Sequence, residues 1–439
     1  MDVGTLTVFI VGGLLLLMVT GMPLGIATLT VSILVTLFKF GEPGLFLVAS
    51  NMLEILHNYS LVAVPLFVLM SSIMERAGIA EDLFNAMAII SGRLRGGVAV
   101  QATLVAVVMA AMTGVIGGEI VMLGLIALPQ MMRLGYDRKL AMGTICAAGI
   151  LATLIPPSVV MIMYGFAAGV SIADLFLGGI TPGLLYAGMY IAYILLRCHF
   201  QPSLAPLPPA ELQSLSGMEK LRLMRGLLLP LFLITWVMGS IYAGIASVTE
   251  AAGVGVLGSL IAAAVRRQLT PSMLLDAIEQ TMSTIGRIIW LILGAISLVA
   301  IYNVIGGTAF MKSLLTGLDL PPLGIIFVMM LILMVLGTFL EWIAIVFITV
   351  PVFVPVVAAL GFDPVWFGVL FVMNIQIYFL SPPFGPAAFW LKSVAPDDVK
   401  LEEIFLGVMP FIGLQIVGLI LVMFVPDIAL WLPRLIGGH

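Results

Sequence analysis

The chain has 439 residues, of which 62% are hydrophobic and 9% charged, with a mean hydropathy of +1.25 and a net charge of −4. A water-soluble chain carries roughly 25% charged residues, so this one cannot cover a water-facing surface, and lipid must be the solvent for most of it. The slight acidic excess excludes nucleic acid and a polybasic membrane-surface module as the reason for its composition.

The opening stretch MDVGTLTVFIVGG has an Asp and no Lys or Arg before its apolar run. It lacks the basic n-region of a cleaved signal peptide and reads as a retained first helix. Apolar segments follow near 5–20, 22–38, 61–76, 98–116, 118–132, 139–155, 158–169 and 177–196, and resume near 226–245, 250–265, 283–304, 323–336, 342–358, 364–380, 384–391 and 405–430. They show no in–out alternation of barrel strands and are dense in Leu, Ala, Met and Gly, which predicts helices. At about 20 residues per crossing they supply on the order of ten or more spans or half-spans. Only Cys146 and Cys198 are present, and His57, His199 and His439 are scattered, so neither a disulfide framework nor a metal site is indicated.

One connection is clearly polar. Residues 197–225, RCHFQPSLAPLPPAELQSLSGMEKLRLMR, divide the chain into halves 1–196 and 226–439. The linker's Arg197, Lys220, Arg222 and Arg225 and the next basic pair, Arg266 and Arg267, are cytoplasmic by the positive-inside rule, with the turn at Ser247–Glu250 outside.

The halves repeat each other. A shift of 226 residues places Pro129 on Pro355, Leu134 on Leu360, Gly135 on Gly361, Asp137 on Asp363, Tyr136 on Phe362 and Pro156-Pro157 on Pro382-Pro383, without a gap. The feet of the first unit carry Arg93, Arg95, Arg133, Arg138 and Lys139, whereas those of the second, LDLPP (318–322) and GFDP (361–364), carry Asp and no Lys or Arg. Opposite charge at equivalent feet predicts an inverted-topology repeat.

Each half holds two apolar limbs joined by a polar tip. In the first, 98–113 leads through Thr113-Gly114-Val115-Ile116-Gly117-Gly118-Glu119 to 120–132; in the second, 323–336 leads through Gly337-Thr338-Phe339-Leu340-Glu341 to 342–358. Limbs this short are either a re-entrant hairpin or two thin spans. Each pair precedes a helix broken by Pro-Pro, at Ile155-Pro156-Pro157-Ser158 and at Ser381-Pro382-Pro383-Phe384. Two prolines remove two backbone donors, and irregular backbone at membrane depth survives only when protein-buried or lining a cavity. One such break could be a packing kink; two in register point to a transport site, where half-helix N-termini attract a carboxylate and freed carbonyls and hydroxyls hold Na⁺.

Glu119 and Glu341 sit beside the tips and are functional candidates by default, or caps for the half-helices they begin. They are not equivalent under the repeat, which would place Glu119 over Ile345. Asn374, Gln376 and Ser381 approach the second break, and Thr153 and Ser158 flank the first. Arg287 reads as an interfacial snorkelling residue, Glu250 as part of a helix N-cap, and the Met residues as core filler. No Walker loop, hydrolase triad or metal cluster is present, so neither ATP-driven transport nor catalysis is suggested.

Stretches such as VPLFVLMSSIMERAGIAEDLF, LGLIALPQMMRLGYDRKLA, ATLIPPSVVMIMYG, YAGIASVTEAAGVGVL, LGTFLEWIAIVFITVPVFVPV and FLSPPFGPAAFWLKSVAP, in this order across nearly the whole chain, resemble the large permease (M) subunit of TRAP (tripartite ATP-independent periplasmic) transporters. The resemblance implies an all-α polytopic protein of the bacterial (or archaeal) inner or plasma membrane. Its fold would be an elevator-type arrangement of two inverted repeats, with re-entrant hairpins at 98–134 and 322–359 and broken helices at 138–169 and 364–393. It further implies Na⁺-driven uptake of a small organic acid, with a small four-helix membrane subunit (Q) and a periplasmic substrate-binding protein (P) as partners. The wording GGEI, LEW and SPPFGPAAF looks like a branch for 2-oxo acids and related monocarboxylates. By position, Gly117, Gly118, Glu119, Thr338, Glu341, Ser158 and Pro383 would meet the substrate, and Gly114, Thr153, Pro156, Gly337, Thr338, Asn374, Gln376 and Ser381 would hold Na⁺. The first tip departs from the family, reading Gly117-Gly118-Glu119 where many members have small hydroxyl residues, which favours backbone carbonyls as ligands there. A stand-alone divalent-anion/Na⁺ symporter would share this plan without a binding protein, and a non-transporting scaffold is the reading from another class. Neighbouring genes separate the first two, and a transport assay the third.

Overall fold

In the computed structural model, residues 2–91, 94–114, 117–206 and 224–437 are described. Arg93, the linker residues Lys220 and Arg222, and His439 lie outside them, as do Val115 and Ile116 of the first tip. Among the described residues the fold is all helix. The first half runs α1 (Val3–Val19), α2 (Leu24–Phe40), α3 (Leu45–Leu56), α4 (Ala63–Arg76), α5 (Ile79–Ser91), α6 (Gly97–Thr113), α7 (Gly118–Arg133), α8 (Arg138–Gly149), α9 (Val159–Ala168) and α10 (Ile172–Phe200). The second runs α11 (Leu228–Tyr242), α12 (Val248–Val265), α13 (Pro271–Val304), α14 (Gly307–Thr316), α15 (Pro322–Gly337), α16 (Trp342–Ala359), α17 (Pro364–Leu380), α18 (Pro386–Lys392), α19 (Leu401–Phe424) and α20 (Asp427–Gly437). Among the described residues, 7 helical stretches are long and apolar enough to cross a bilayer.

The repeat extends well beyond the thirty or so residues where identities show it. α1 and α2 return as α11 and α12, α5 as α14, and α6 to α10 as α15 to α19. The packing repeats too: α2 lies on α13 as α12 lies on α4, α8 on α19 as α17 on α10, and α9 on α16 as α18 on α7. Local chemistry explains the matching helix starts. Gly135 and Gly361 take left-handed φ values of +79° and +82°, which glycine adopts at little cost. Two residues later, Asp137 accepts the Leu140 amide at 2.9 Å and Asp363 the Val365 amide at 2.7 Å, capping α8 and α17. The departure lies in the outer helices: α3 and α4 are separated by a turn, whereas α13 continues through 34 residues.

The two broken helices run antiparallel. Arg138, at the start of α8, pairs with Asp398 at 2.8 Å and Glu403 at 3.7 Å, just beyond the end of α18. At the other extreme, the Tyr164 hydroxyl of α9 donates to the Pro364 carbonyl at the start of α17, at 2.9 Å. Each foot therefore sits beside the far end of the opposite unit, which is the geometry an inverted repeat requires.

Most helices share one apolar core, and α1, α2, α3 and α13 add a smaller one around Leu6, Ile10, Val31, Leu298 and Ile301. Outward, large apolar side chains such as Phe9, Phe232, Trp236, Ile261 and Phe424 are exposed, as lipid contact demands. Several buried polar groups are bonded across helices or between halves: the Tyr186 hydroxyl donates to the Gln415 carbonyl at 2.8 Å, the Gln415 amide to the Tyr190 hydroxyl at 2.9 Å and the Trp366 indole to the Val422 carbonyl at 3.0 Å. The turn at 247–250 is a capping box in which Ser247 is the N-cap and Glu250 returns to the Ser247 amide. Glu250 thus has the capping role its position predicts.

Candidate functional site

The first tip is built from glycine because nothing larger fits. Gly114 ends α6 at φ +59°, and its carbonyl accepts the Val159 amide at 3.2 Å. A β-carbon there would collide with the Pro157 carbonyl oxygen, so the tip is seated on the first Pro-Pro break. Gly117, at φ +95°, faces the Trp390 indole, which a β-carbon would meet at 3.0 Å. Gly118 opens α7 against the Glu75 carboxyl group. Glu119 is buried and accepts the Thr113 hydroxyl. It does not cap α7, which has no side-chain cap. In the second tip, Gly337 lies against the Tyr378 ring, and the Thr338 hydroxyl donates to the Val335 carbonyl at 2.7 Å. Glu341 occupies the N-cap position of α16 without making a capping bond, which leaves its carboxyl group available.

The two breaks meet. After α8 the chain forms a short 3₁₀ turn at Ile150–Thr153, passes the cis Pro156-Pro157 bond and restarts at α9, where Ser158 caps the Met161 amide at 3.3 Å. After α17 it passes the cis Pro382-Pro383 bond and restarts at α18. The Gln376 amide of the second broken helix donates to the Thr153 hydroxyl of the first at 2.9 Å. Asn374 donates to the Met330 carbonyl at 2.9 Å, and the Ser381 hydroxyl to the Ile377 carbonyl at 2.7 Å. The carbonyl oxygens of Asn374 and Gln376 are buried without a partner. Thr153, Pro156 and Ser158 are buried, whereas Pro383 is exposed.

Between the tips lies a cavity of about 590 Å³. Gly117, Gly118 and Glu341, all expected at the site, line it, and both tips reach it, so the limb pairs are re-entrant hairpins. Gly337 and Thr338 line an adjoining cavity of about 440 Å³ that shares Glu341 and Trp342 with the first. Glu119 is not among the lining residues of either cavity. The larger cavity also receives Glu75, Gln280, Thr284 and Arg287, none of which sequence reasoning placed there. Arg287, read from the sequence as an interfacial snorkelling residue, lines this cavity. A signal for it existed: Gln280, Thr284 and Arg287 recur at helical spacing along α13 and form one polar stripe. Four helix starts line the space, at Gly118 of α7, Val159 of α9, Trp342 of α16 and Pro386 of the short α18. These N-termini bring partial positive charge, although in α9 the Val159 and Met161 amides are taken by the Gly114 carbonyl and the Ser158 hydroxyl, and Arg287 adds a full charge. Trp342, Phe379 and Trp390 give the cavity an aromatic side.

A helical membrane protein with two opposed re-entrant tips, two broken helices and a cavity between them is a transporter permease. The chain belongs to the family described as "Tripartite ATP-independent periplasmic transporter, DctM component", which it matches over residues 11–428, and it is a multi-pass protein of the bacterial inner membrane. It is 30% identical to the C4-dicarboxylate TRAP transporter large permease protein DctM of Vibrio cholerae, covering 100% of this chain and 99% of that protein. It is also 30% identical to the sialic acid TRAP transporter large permease protein SiaM of the same organism, covering 97% and 98%. Its fold is shared with the crystal structure of the Alcanivorax borkumensis YdaH transporter, reported to have an unusual topology, at a TM-score of 0.62 and 15% identity over 91% of this chain and 96% of the other.

Proposed function

We propose that this permease couples a Na⁺ gradient to the uptake of a small organic acid, handed over by a periplasmic substrate-binding protein and assisted by a small four-helix membrane subunit. The observation that carries the reading is the convergence of the N-termini of α7, α9 and α16 with Arg287 on one cavity between the two tips. That arrangement is made for a carboxylate. Glu75 and Glu341 face the same space, so an arriving anion needs a cation to offset them, which argues for symport. Neutral oxygens suited to Na⁺ stand nearby: the unpartnered carbonyls of Asn374 and Gln376, the hydroxyls of Thr153, Thr338 and Ser381, and the backbone at Gly114, Pro156 and Gly337. Substrate contacts would come from Gly117, Gly118 and Glu341, with Arg287 as the carboxylate anchor.

The lone cation among the lining residues suits an acid with one carboxylate, such as a 2-oxo acid. Two relatives of equal identity are named for a C4-dicarboxylate and for sialic acid, so overall similarity does not carry the solute. The tripartite family takes the place of the stand-alone symporter reading. Movement would be of the elevator kind, the hairpins and broken helices travelling together past α4 and α13. The test is uptake by vesicles holding the reconstituted membrane subunits, with the binding protein added outside and a labelled acid found by thermal-shift screening of that protein. Accumulation should require both the binding protein and inward Na⁺. Equal accumulation with K⁺ replacing Na⁺ defeats the proposal.

A further inference from the structure

Behind the first tip lies a carboxyl group that the transport cavity does not use. Glu119 is 1% exposed. Its Oε1 accepts the Thr113 hydroxyl, and its Oε2 has no partner. A second carboxyl group stands close by: Glu75 of α4 lies against Gly118, its Oε1 filling the place of a β-carbon, within Coulombic range of Glu119. Glu75 accepts the Ser71 hydroxyl at 3.4 Å, and with Gln280 it lines the 590 Å³ cavity.

The space adjoining Glu119 is about 10 Å³ and is otherwise lined by Ala80, Phe84, Val105, Met109 and further apolar side chains. That is at the lower limit for a single water and offers no set of oxygen ligands, so neither a hydrated ion nor a coordinated Na⁺ fits beside Oε2. Of the described cations on the elements packed against α4 and α7, Arg76 adjoins Glu75 and acts on it electrostatically, and none has a hydrogen bond or ion pair to Glu119. Arg76 reaches the Ser72 carbonyl and hydroxyl at 3.1 and 3.2 Å, Arg266 pairs with Asp82, and Arg138 pairs with Asp398 and Glu403. Lys392 donates to the Asp397 carbonyl at 3.3 Å, and Arg287 faces the cavity that both Glu75 and Glu341 line. Arg133 and Lys139 belong to the foot of the hairpin, about 24 Å from the tip along α7. The remaining acids on these elements, Glu81, Glu250, Asp276 and Glu279, bring only more negative charge. Glu119, buried with one oxygen unpartnered, faces the negative charge of Glu75 at membrane depth, where an ionised carboxylate is costly.

The ligand that needs no room and removes the repulsion is a proton. We propose that Glu119 and Glu75 form a proton-binding site at the joint between the first hairpin and α4, holding one proton between them and exchanging it with the cavity through Glu75. With the proton bound, the tip stays docked on α4; its release leaves two negative charges across the joint and drives the tip away. The permease would then carry a proton-sensitive step in addition to its Na⁺ dependence.

Infrared difference spectroscopy of the purified chain in lipid nanodiscs, titrated with pH at constant Na⁺, tests this without any substrate. The wild type should show a protonated-carboxyl C=O band at neutral pH that shifts in D₂O and is lost on alkalinisation. Glu119→Gln should abolish the band. Glu75→Gln, which removes the neighbouring charge, should keep the band but displace its titration. A band unchanged in Glu119→Gln, the absence of a titrating band in the wild type, or discharge of the band by added Na⁺ would overturn the proposal. None of these outcomes depends on whether Na⁺ drives uptake.

Discussion

Gly337 and Gln376 show how little freedom the site has at the level of single residues. A β-carbon at 337 falls on the Tyr378 ring, and overpacking of this kind typically costs about 1–3 kcal/mol. Gly337→Ile should therefore insert normally but lose most Na⁺-dependent uptake, as read by vesicle accumulation; wild-type rates would remove Gly337 from the site. Gln376→Leu breaks the bond between the two broken helices and should cost about 1–3 kcal/mol, seen as a lower Tm of the solubilised chain together with a weaker response to Na⁺. An unchanged Tm would mean that the bridge at Thr153 does not tie the breaks together. The tips and Pro-Pro breaks were legible because glycine and proline announce special backbone. Glu75 and Arg287 were not, because a charge at the end of an apolar run looks interfacial until packing shows what its helix faces. Glu119 was legible as unusual but not as separate from the cavity, since only the fold turns it behind the tip.

Among the elements, the caps of α8 and α17 are the cleanest comparison between the halves. Asp137→Ala and Asp363→Ala each remove an N-cap, with an expected loss of about 0.5–2 kcal/mol measurable by thermal unfolding. The two losses should be similar if the units are equivalent, and one silent cap would show that its helix start is held by packing instead. Long apolar helices could be read from the sequence, but α3, α5, α14 and α20 could not. Their apolar runs are interrupted by polar residues, such as Glu54 in α3, Glu81 and Asp82 in α5, and Lys312 in α14, so a search for unbroken apolar runs passes over them. For the same reason α13 looked shorter than it is: its first turns carry Asp276, Glu279 and Gln280.

Over the whole molecule, thirty or so residues of matching sequence stood for a repeat that runs from α1 to α19. Identity survives where backbone geometry forbids substitution, at Gly135 and Gly361 or the paired prolines, and drifts on lipid-facing surfaces that any apolar residue satisfies. The inversion was legible only through charge at the feet, and the contacts of Arg138 with Asp398 and of Tyr164 with Pro364 give it a structural basis. The solute was not legible, because a cavity with one arginine and several amide-bearing helix starts names a charge type and not a molecule. The central claim is that acid and Na⁺ cross together. It is met most directly by following labelled Na⁺ and the labelled acid into the same vesicles, with the binding protein present. The two should enter in a fixed ratio, and acid accumulation should vanish when the Na⁺ concentration is equal on both sides. Full accumulation of the acid without a Na⁺ gradient would contradict the account.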